Sequence, residues 1–502
     1  MRARRDIPRL ARIPFAVALL LAVVHAPRLL AQSSRASTSE LQPGAPLPTH
    51  RTLKAWTGDL DGMIERRQIR VLVTYSKTHY FIDRFTQRGA AYDAFRLFED
   101  DLNKTLKSGS VRVHVIFLPV SRDEIIPALL AGKGDIAAAS LTITPDRLEK
   151  VDFTDPTFKN VSEIVVTGAG SPPIATIEDL SGKEVYVRKS SSFYEGLETL
   201  NATLAKAGKP PVKLRLAPET LETEDLLDMV NAGLVQATIA DDFIAGFWKQ
   251  VLPHLTLNRN ATLRTGADIA WMIRKGSPKL KAALNRFLAR YPPGSSTRNQ
   301  LLQKYFKSSK FAREATSPEE AAKFRQVVEL FRKYCGQYDL DYLLVAAQGY
   351  QESRLDQNAK SHVGAIGVMQ VMPPTGKEMG VGDITLLEPN IHAGVKYVRF
   401  MMTKYYGGEP MDALNKELFT FASYNAGPAR IAQMRRLAAE RGLDKNVWFN
   451  NVELVVAERM GRETVTYVSN IYKYYLAYQM VVEQLAEREK SLKAIEGQTP
   501  KP

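Results

Sequence analysis

The sequence predicts a multi-domain protein, with an α/β N-terminal half followed by a mainly α-helical C-terminal half. Three observations predict it. The chain has 502 residues, more than one hydrophobic core organises. From Ile69 to about residue 300, short apolar runs alternate with segments of helical period, the pattern of βαβ units around a parallel sheet. From about residue 320 onward, apolar residues recur at helical spacing and strand signals nearly vanish.

The first 31 residues read as a secretory signal. Arg2, Arg4, Arg5, Arg9 and Arg12 give a basic start, Phe15 to Val24 an apolar stretch, and Ala31 a small residue before a cut at Gln32. An uncleaved anchor is the competing reading, because Arg28 interrupts the region before the cut. No cysteine lies near residue 31 to be acylated. Residues 32–65, rich in Ser, Pro and Thr, read as a flexible tether. No later segment has the ~18 unbroken apolar residues that span a bilayer. The net charge is +14, and removing the six Arg and one Asp of residues 1–31 leaves +9. That excess favours an anionic polymer or a membrane surface, peripherally, and no nucleic-acid recognition motif accompanies it. The single cysteine, Cys335, excludes an intramolecular disulfide and reads as a core residue.

Within the α/β half, Ile69 to Val73 reads as a buried strand and Ala91 to Leu106 as a helix. Val111 to Leu118 (strand), Asp123 to Ala131 (helix) and Asp135 to Ala139 (strand) follow. A second alternating block takes Glu184 to Val187, Phe193 to Ala205, Leu221 to Ala232 and Ala237 to Ala240. Ile269 to Ile273 and a helix from Lys279 to Arg290 close it. Residues 301–320 are charged and weakly periodic and read as a linker, with Ser317-Pro318 as a helix start. The helical part is expected over 321–485, and 486–502 reads as a frayed polar tail.

The helical part carries four blocks that point to chemistry. An apolar helix face at Leu340, Leu343, Leu344 and Ala347, capped by Asp339 or Asp341, ends in Gln351-Glu352-Ser353. Gly364-Ala-Ile-Gly367-Val-Met-Gln370, Ser423-Tyr424-Asn425-Ala-Gly427 and Glu463-Thr-Val-Thr-Tyr467-Val follow. A lone glutamate is most often a solvated helix-end carboxylate. One at a helix C-terminus, against an apolar wall, has its ionisation disfavoured and suits a general acid. No second carboxylate stands in these blocks, whereas glycoside hydrolases usually use two. The glycines read as backbone-permissive positions.

In order and composition the four blocks resemble the Slt-type, goose-lysozyme-like lytic transglycosylases, over roughly 320–480. Val368 and Ser423 depart from the family's usual Leu and Ala. The resemblance implies a lysozyme-like fold, with Glu352 acting first as acid and then as base. It implies cleavage of the MurNAc–GlcNAc β-1,4 bond of peptidoglycan glycan strands, leaving a 1,6-anhydro end, with no cofactor and no metal. It also implies that Gln370, Tyr424 and Asn425 line the sugar groove and that Tyr467 faces Glu352, with Ser353 and Glu463 as orienting members of the substrate site. Loop hydrogen bonding for the first three and core packing for Tyr467 are the plainer alternatives. A hydrolytic muramidase and a non-catalytic wall sensor are the rival functions.

In the α/β half, Ser140-Leu-Thr142-Ile-Thr-Pro-Asp-Arg147 followed by Val151-Asp-Phe-Thr-Asp-Pro156 resembles the family 3 periplasmic solute-binding proteins. This implies a two-lobed fold over 66–300, lobe 1 taking about 66–165 and 255–300 and lobe 2 about 170–254. It also implies a cleft in which Thr142 and Arg147 grip a ligand carboxylate, Asp241 holds its ammonium, and Ser191, within Ser190–Ser192, adds contacts. Tyr75 either walls this cleft or packs. The expected ligand is a small zwitterion or wall peptide that tunes the enzyme. A cleft that has lost its ligand is the alternative. The order of the two parts resembles that of membrane-bound lytic murein transglycosylases and places the protein in the periplasm, peripheral to the outer membrane.

Overall fold

The computed structural model describes residues 54–307 and 318–496. The expected signal at 1–31, most of the tether and the middle of the linker lie outside the described residues. Where the tether was expected to end, Leu60–Glu65 forms a helix, α1. Asp59 caps it, and it buries Leu60 and Met63 against lobe 1.

Then come β1 (Gln68–Val73), β2 (Phe81–Asp83), β3 (Thr86–Arg88), α2 (Ala90–Leu106), β4 (His114–Pro119), α3 (Ile125–Leu130), β5 (Ile136–Thr142), α4 (Pro145–Leu148), β6 (Asp152–Phe153) and β7 (Phe158–Thr167). The second block is β8 (Glu184–Val187), α5 (Ser192–Lys206), β9 (Lys213–Leu216), α6 (Thr223–Asn231), β10 (Ala237–Asp241) and α7 (Asp242–Lys249). The half closes with β11 (Thr256–Ile273), α8 (Pro278–Arg290) and α9 (Ser296–Leu302).

The main sheet runs β4-β1-β5-β11-β7-β10-β8-β9, with β6 beside β11. β4, β1 and β5 are parallel to one another, as are β10, β8 and β9. Between these two parallel halves run the long antiparallel strands β7 and β11. Sequence reading missed β7 and most of β11. Thr256 to Asp268 is mostly polar and only partly buried, so it shows neither alternation nor an apolar run. Register shifts between β7 and β11, for example between Asn258 and Thr262, mark bulges that bend the pair.

The C-terminal half is helical: α10 (Pro318–Tyr338), α11 (Tyr342–Ser353), α12 (Pro373–Met379), α13 (Leu387–Met401), α14 (Ala413–Ala426), α15 (Pro428–Glu440), α16 (Glu453–Met460) and α17 (Arg462–Glu496). Cys335 is buried in α10. The two halves share one apolar cluster, which joins Ile116, Leu118 and Met272 of lobe 1 to Phe331, Tyr350 and Tyr478 of the helices.

The expected polar tail is not a tail through Glu496, because α17 continues to that residue. It lies along β4, the strand at the end of the sheet. Val481 and Leu485 enter the core of lobe 1, while Leu492 and Ile495 pack on that of lobe 2. Within the expected tail, buried Arg488 pairs with buried Asp225; earlier in the same helix Lys473 sits 3.5 Å from Glu99 and Tyr478 Oη donates to the Phe85 carbonyl at 2.6 Å. Polar composition looked like solvation because these partners lie far away in sequence.

Removing one partner of a buried ion pair strands the other charge. Asp225→Ala should therefore lower stability by about 3–5 kcal/mol. The double variant Asp225→Leu/Arg488→Met should recover most of that. Urea denaturation of the three proteins checks both outcomes.

Candidate active site

Asp341, one of the two expected caps, starts α11 by accepting from Leu343 N at 2.8 Å and Leu344 N at 3.4 Å. The helix ends where Arg354 and Leu355 turn left-handed, with φ of 57° and 65°. Glu352 is the penultimate residue, partly buried at the negative end of the helix dipole. Tyr467, reaching in from the first turns of α17, donates its hydroxyl to Glu352 Oε1. Gln348, fully buried one turn earlier on α11, donates Nε2 to the same phenol oxygen at 3.2 Å. Burial pushes the Glu352 carboxyl up to about 7, and the Tyr467 hydrogen bond opposes part of that rise. Among the described residues no Lys or Arg forms an ion pair with it, and no second carboxylate adds to the shift. Tyr424 flanks the group. Burial and then the Glu352 charge raise its phenol pKa, while its hydroxyl donates to the Met369 carbonyl at 2.7 Å.

The other expected groove residues divide. Asn425 accepts from Thr464 Oγ1 at 2.7 Å, tying the end of α14 to the start of α17. Ser353 donates to the Val368 carbonyl at 2.9 Å and accepts from Asp356 N at 3.1 Å, holding the Gly364–Gln370 loop against α11. Gln370 adopts φ 46°, and its Nε2 donates to the carbonyls of Gly367 (2.9 Å) and Ala359 (3.2 Å), so its amide nitrogen stitches its own loop. Glu463 is exposed in the first turn of α17, where its charge suits the helix N-terminus; its neighbour Thr464 makes the inward contact.

Sequence reading missed Gln348 and Asn390. Gln348 stands four residues before Glu352, a lone polar side chain in an apolar run, and that spacing was the available signal. Asn390 is fully buried, accepts from Met369 N (2.9 Å) and donates to the carbonyls of Ile366 (2.8 Å) and Ile384 (3.0 Å). A Cβ on Gly367, at φ 77°, would meet Asn390 Nδ2 at 2.4 Å, so this crossing requires glycine.

In the α/β half, Thr142, Arg147, Ser191 and Asp241 line one cavity of about 30 Å³. Arg147 donates to the Thr142 carbonyl at 2.8 Å and, across the lobes, to the Ser190 carbonyl at 3.1 Å. Ser191 caps α5, accepting from Tyr194 N at 3.2 Å. Asp241 is buried with Oδ1 unpartnered; burial first and the neighbouring Glu163 second push its carboxyl up to about 7. Arg122, Arg188, Glu222 and Glu224 add two cations and two acids to the lining. They were missed because the acids sit in a run that reads as a helix start. Tyr75 is not in this cavity. It lines a separate one with Gln484 and Arg488, whose guanidinium stands 5.7 Å over its ring, so α17 has drawn it away.

The pattern of the "Bacterial extracellular solute-binding proteins, family 3" matches residues 69–308, and that of the "Transglycosylase SLT domain" matches residues 329–447. A membrane-bound lytic murein transglycosylase F from Histophilus somni is 30% identical over 442 residues, covering 82% of this chain and 84% of that one. One from Desulfosudis oleivorans is 27% identical over 430 residues, covering 81% and 89%. Among solved structures, an ancestral arginine-binding protein bound to arginine is similar at 25% identity and a TM-score of 0.40, covering 48% of this chain and 98% of that one. Both halves of the chain, in this order and over most of its length, are therefore shared with such enzymes, and the protein belongs to the membrane-bound lytic murein transglycosylase F family.

Proposed function

We propose that this chain cleaves the MurNAc–GlcNAc β-1,4 bond of peptidoglycan by lytic transglycosylation, with Glu352 as its single acid–base residue. The observation that carries this reading is one partly buried carboxyl, raised to about 7 and bonded to a phenol, with no second carboxylate adding to its shift among the described residues. Protonated Glu352 gives its proton to the glycosidic oxygen as the C1–O bond breaks. The resulting carboxylate takes the proton of the MurNAc 6-hydroxyl as that oxygen bonds to C1. The 1,6-anhydro ring forms and the acid is restored, with no water consumed. Tyr467, held by Gln348, orients the carboxyl, and Tyr424 walls the groove. Ser353, Gln370 and Asn425 shape the loops around it.

The division proposed is a binding part over 66–300 and a catalytic part over 321–485. The binding part takes a zwitterionic ligand such as a wall peptide, its carboxylate at Arg147 and its ammonium at Asp241, and thereby tunes the enzyme. Among the described residues no helix is long and apolar enough to cross a membrane. The proposed location is periplasmic and peripheral to the outer membrane.

Glu352→Gln keeps the shape but carries no transferable proton, so turnover on purified peptidoglycan should fall by ~10²–10⁴. Mass spectrometry of the wild-type products should show anhydro ends; reducing ends in their place would identify a hydrolase. The acid form of Glu352 is lost as pH rises through about 7, so activity should decline there. Tyr467→Phe removes a donor that favours the ionised form and should move that decline to higher pH, read from the pH profile of kcat/KM. A stem peptide should change the lysis rate of the wild type but not of Arg147→Ala. Its affinity should rise with pH through about 7 as Asp241 ionises; parallel calorimetry and turbidity assays check this.

A further inference from the structure

Lobe 1 holds a further cavity, of about 110 Å³, which the chemistry above does not use. Its floor is made by buried Ala91, Ala138, Ile269, Ala270, Trp271 and Phe287. The alanines of α2, β5 and β11 create the space, because longer side chains there would fill it. Partly buried residues form the other end, where α9 supplies Arg298 and Leu301. Protein interiors are otherwise close-packed, so an unfilled, mostly apolar space of this order has room for hydrocarbon; an engineered enclosed cavity of ~150 Å³ binds benzene.

The charges around the open end are unequal. Lys304 is paired with Asp93 at 2.7 Å, and Arg290 is paired with Asp101. Arg298 lines the cavity itself, donates to the Thr157 carbonyl, and has no carboxylate partner among the described residues. Burial alone lowers its pKa, with no acid beside it to compensate. At the deep end His79 is held neutral at pH 7, its pKa lowered to about 4 by burial and then by Arg122, so that end offers no cation. His79 and Ser140 also line the polar cleft and separate the two spaces.

We propose that this cavity binds a medium-chain acyl carboxylate, with the hydrocarbon on the alanine-lined floor and the carboxylate on Arg298. Apolar walls supply the affinity for the chain, and the uncompensated guanidinium selects an anionic head. The site is independent of the role assigned to Glu352.

Calorimetric titration of the full chain with octanoate, 1-octanol and acetate tests it. Octanoate should bind saturably, octanol at least about tenfold more weakly, and acetate not at all. Arg298→Gln, a change at the partly exposed end, should make octanoate and octanol equivalent. Ala94→Leu should fill the space and abolish both, with circular dichroism melts showing that each variant is folded. No saturable octanoate binding to the wild type overturns the proposal. An octanoate preference that survives Arg298→Gln, or binding undiminished in folded Ala94→Leu, overturns it equally.

Discussion

The last helix is the constraint on which the rest of the molecule depends. α17 is 35 residues long, so at 1.5 Å per residue it extends over ~50 Å as one rigid element. Its first turns carry Thr464 to Asn425 and Tyr467 to Glu352. Its middle sets Lys473 against Glu99 and Tyr478 against Phe85, and its last turns set Arg488 against Asp225. A single helix thus touches the candidate acid and both lobes of the binding half. Two of its contacts bury a cation, which is tolerable only where an acid lies opposite. The register of α17 along the α/β half is accordingly narrow, because a slip would leave Lys473 and Arg488 buried without partners.

The ionisable groups show how burial and neighbours compete. Glu99, Asp241 and Glu352 are all withdrawn from water, and withdrawal raises each carboxyl. At Glu99 the cations Lys473 and Arg96, with His114, overcome burial and hold the group ionised. At Asp241 the nearby Glu163 adds to burial while Arg122 and Arg188 oppose it. At Glu352 the opposing influence among the described residues is a hydrogen bond from a neutral phenol. Cations outweigh burial at Glu99; at Asp241 they only moderate it, and at Glu352 burial prevails over a hydrogen bond.

The loop beside Glu352 is held by side chains that hydrogen-bond its backbone, among them Gln370, which sequence reading placed in the sugar groove. Ser353, Gln370 and Asn390 satisfy the carbonyls and amides of the segment Ala359–Gln370, which has no regular structure of its own. Without them its polar groups would be buried unpaired at the wall of the site. The groove is shaped by these residues indirectly, through the backbone they hold.

Local signals determined a good deal. The period of apolar residues placed β8, α2, α5 and α8 to within a residue or two, because each buries one continuous face. Four ordered motifs located Glu352 and Tyr467, and the helix cap was narrowed to Asp339 or Asp341, of which the structure uses Asp341. The polar strand β11, the burial of α17 beyond residue 485, the capture of Tyr75 by Arg488 and the pairing of Arg122 with Glu222 were decided only in three dimensions. The physical reason is the same in each case. A charged or polar side chain reads as solvated until a partner is brought to it, and that partner arrives from about ninety or more residues away. Apolar periodicity is a property of the local chain, whereas the neutralisation of a buried charge is a property of the assembled fold.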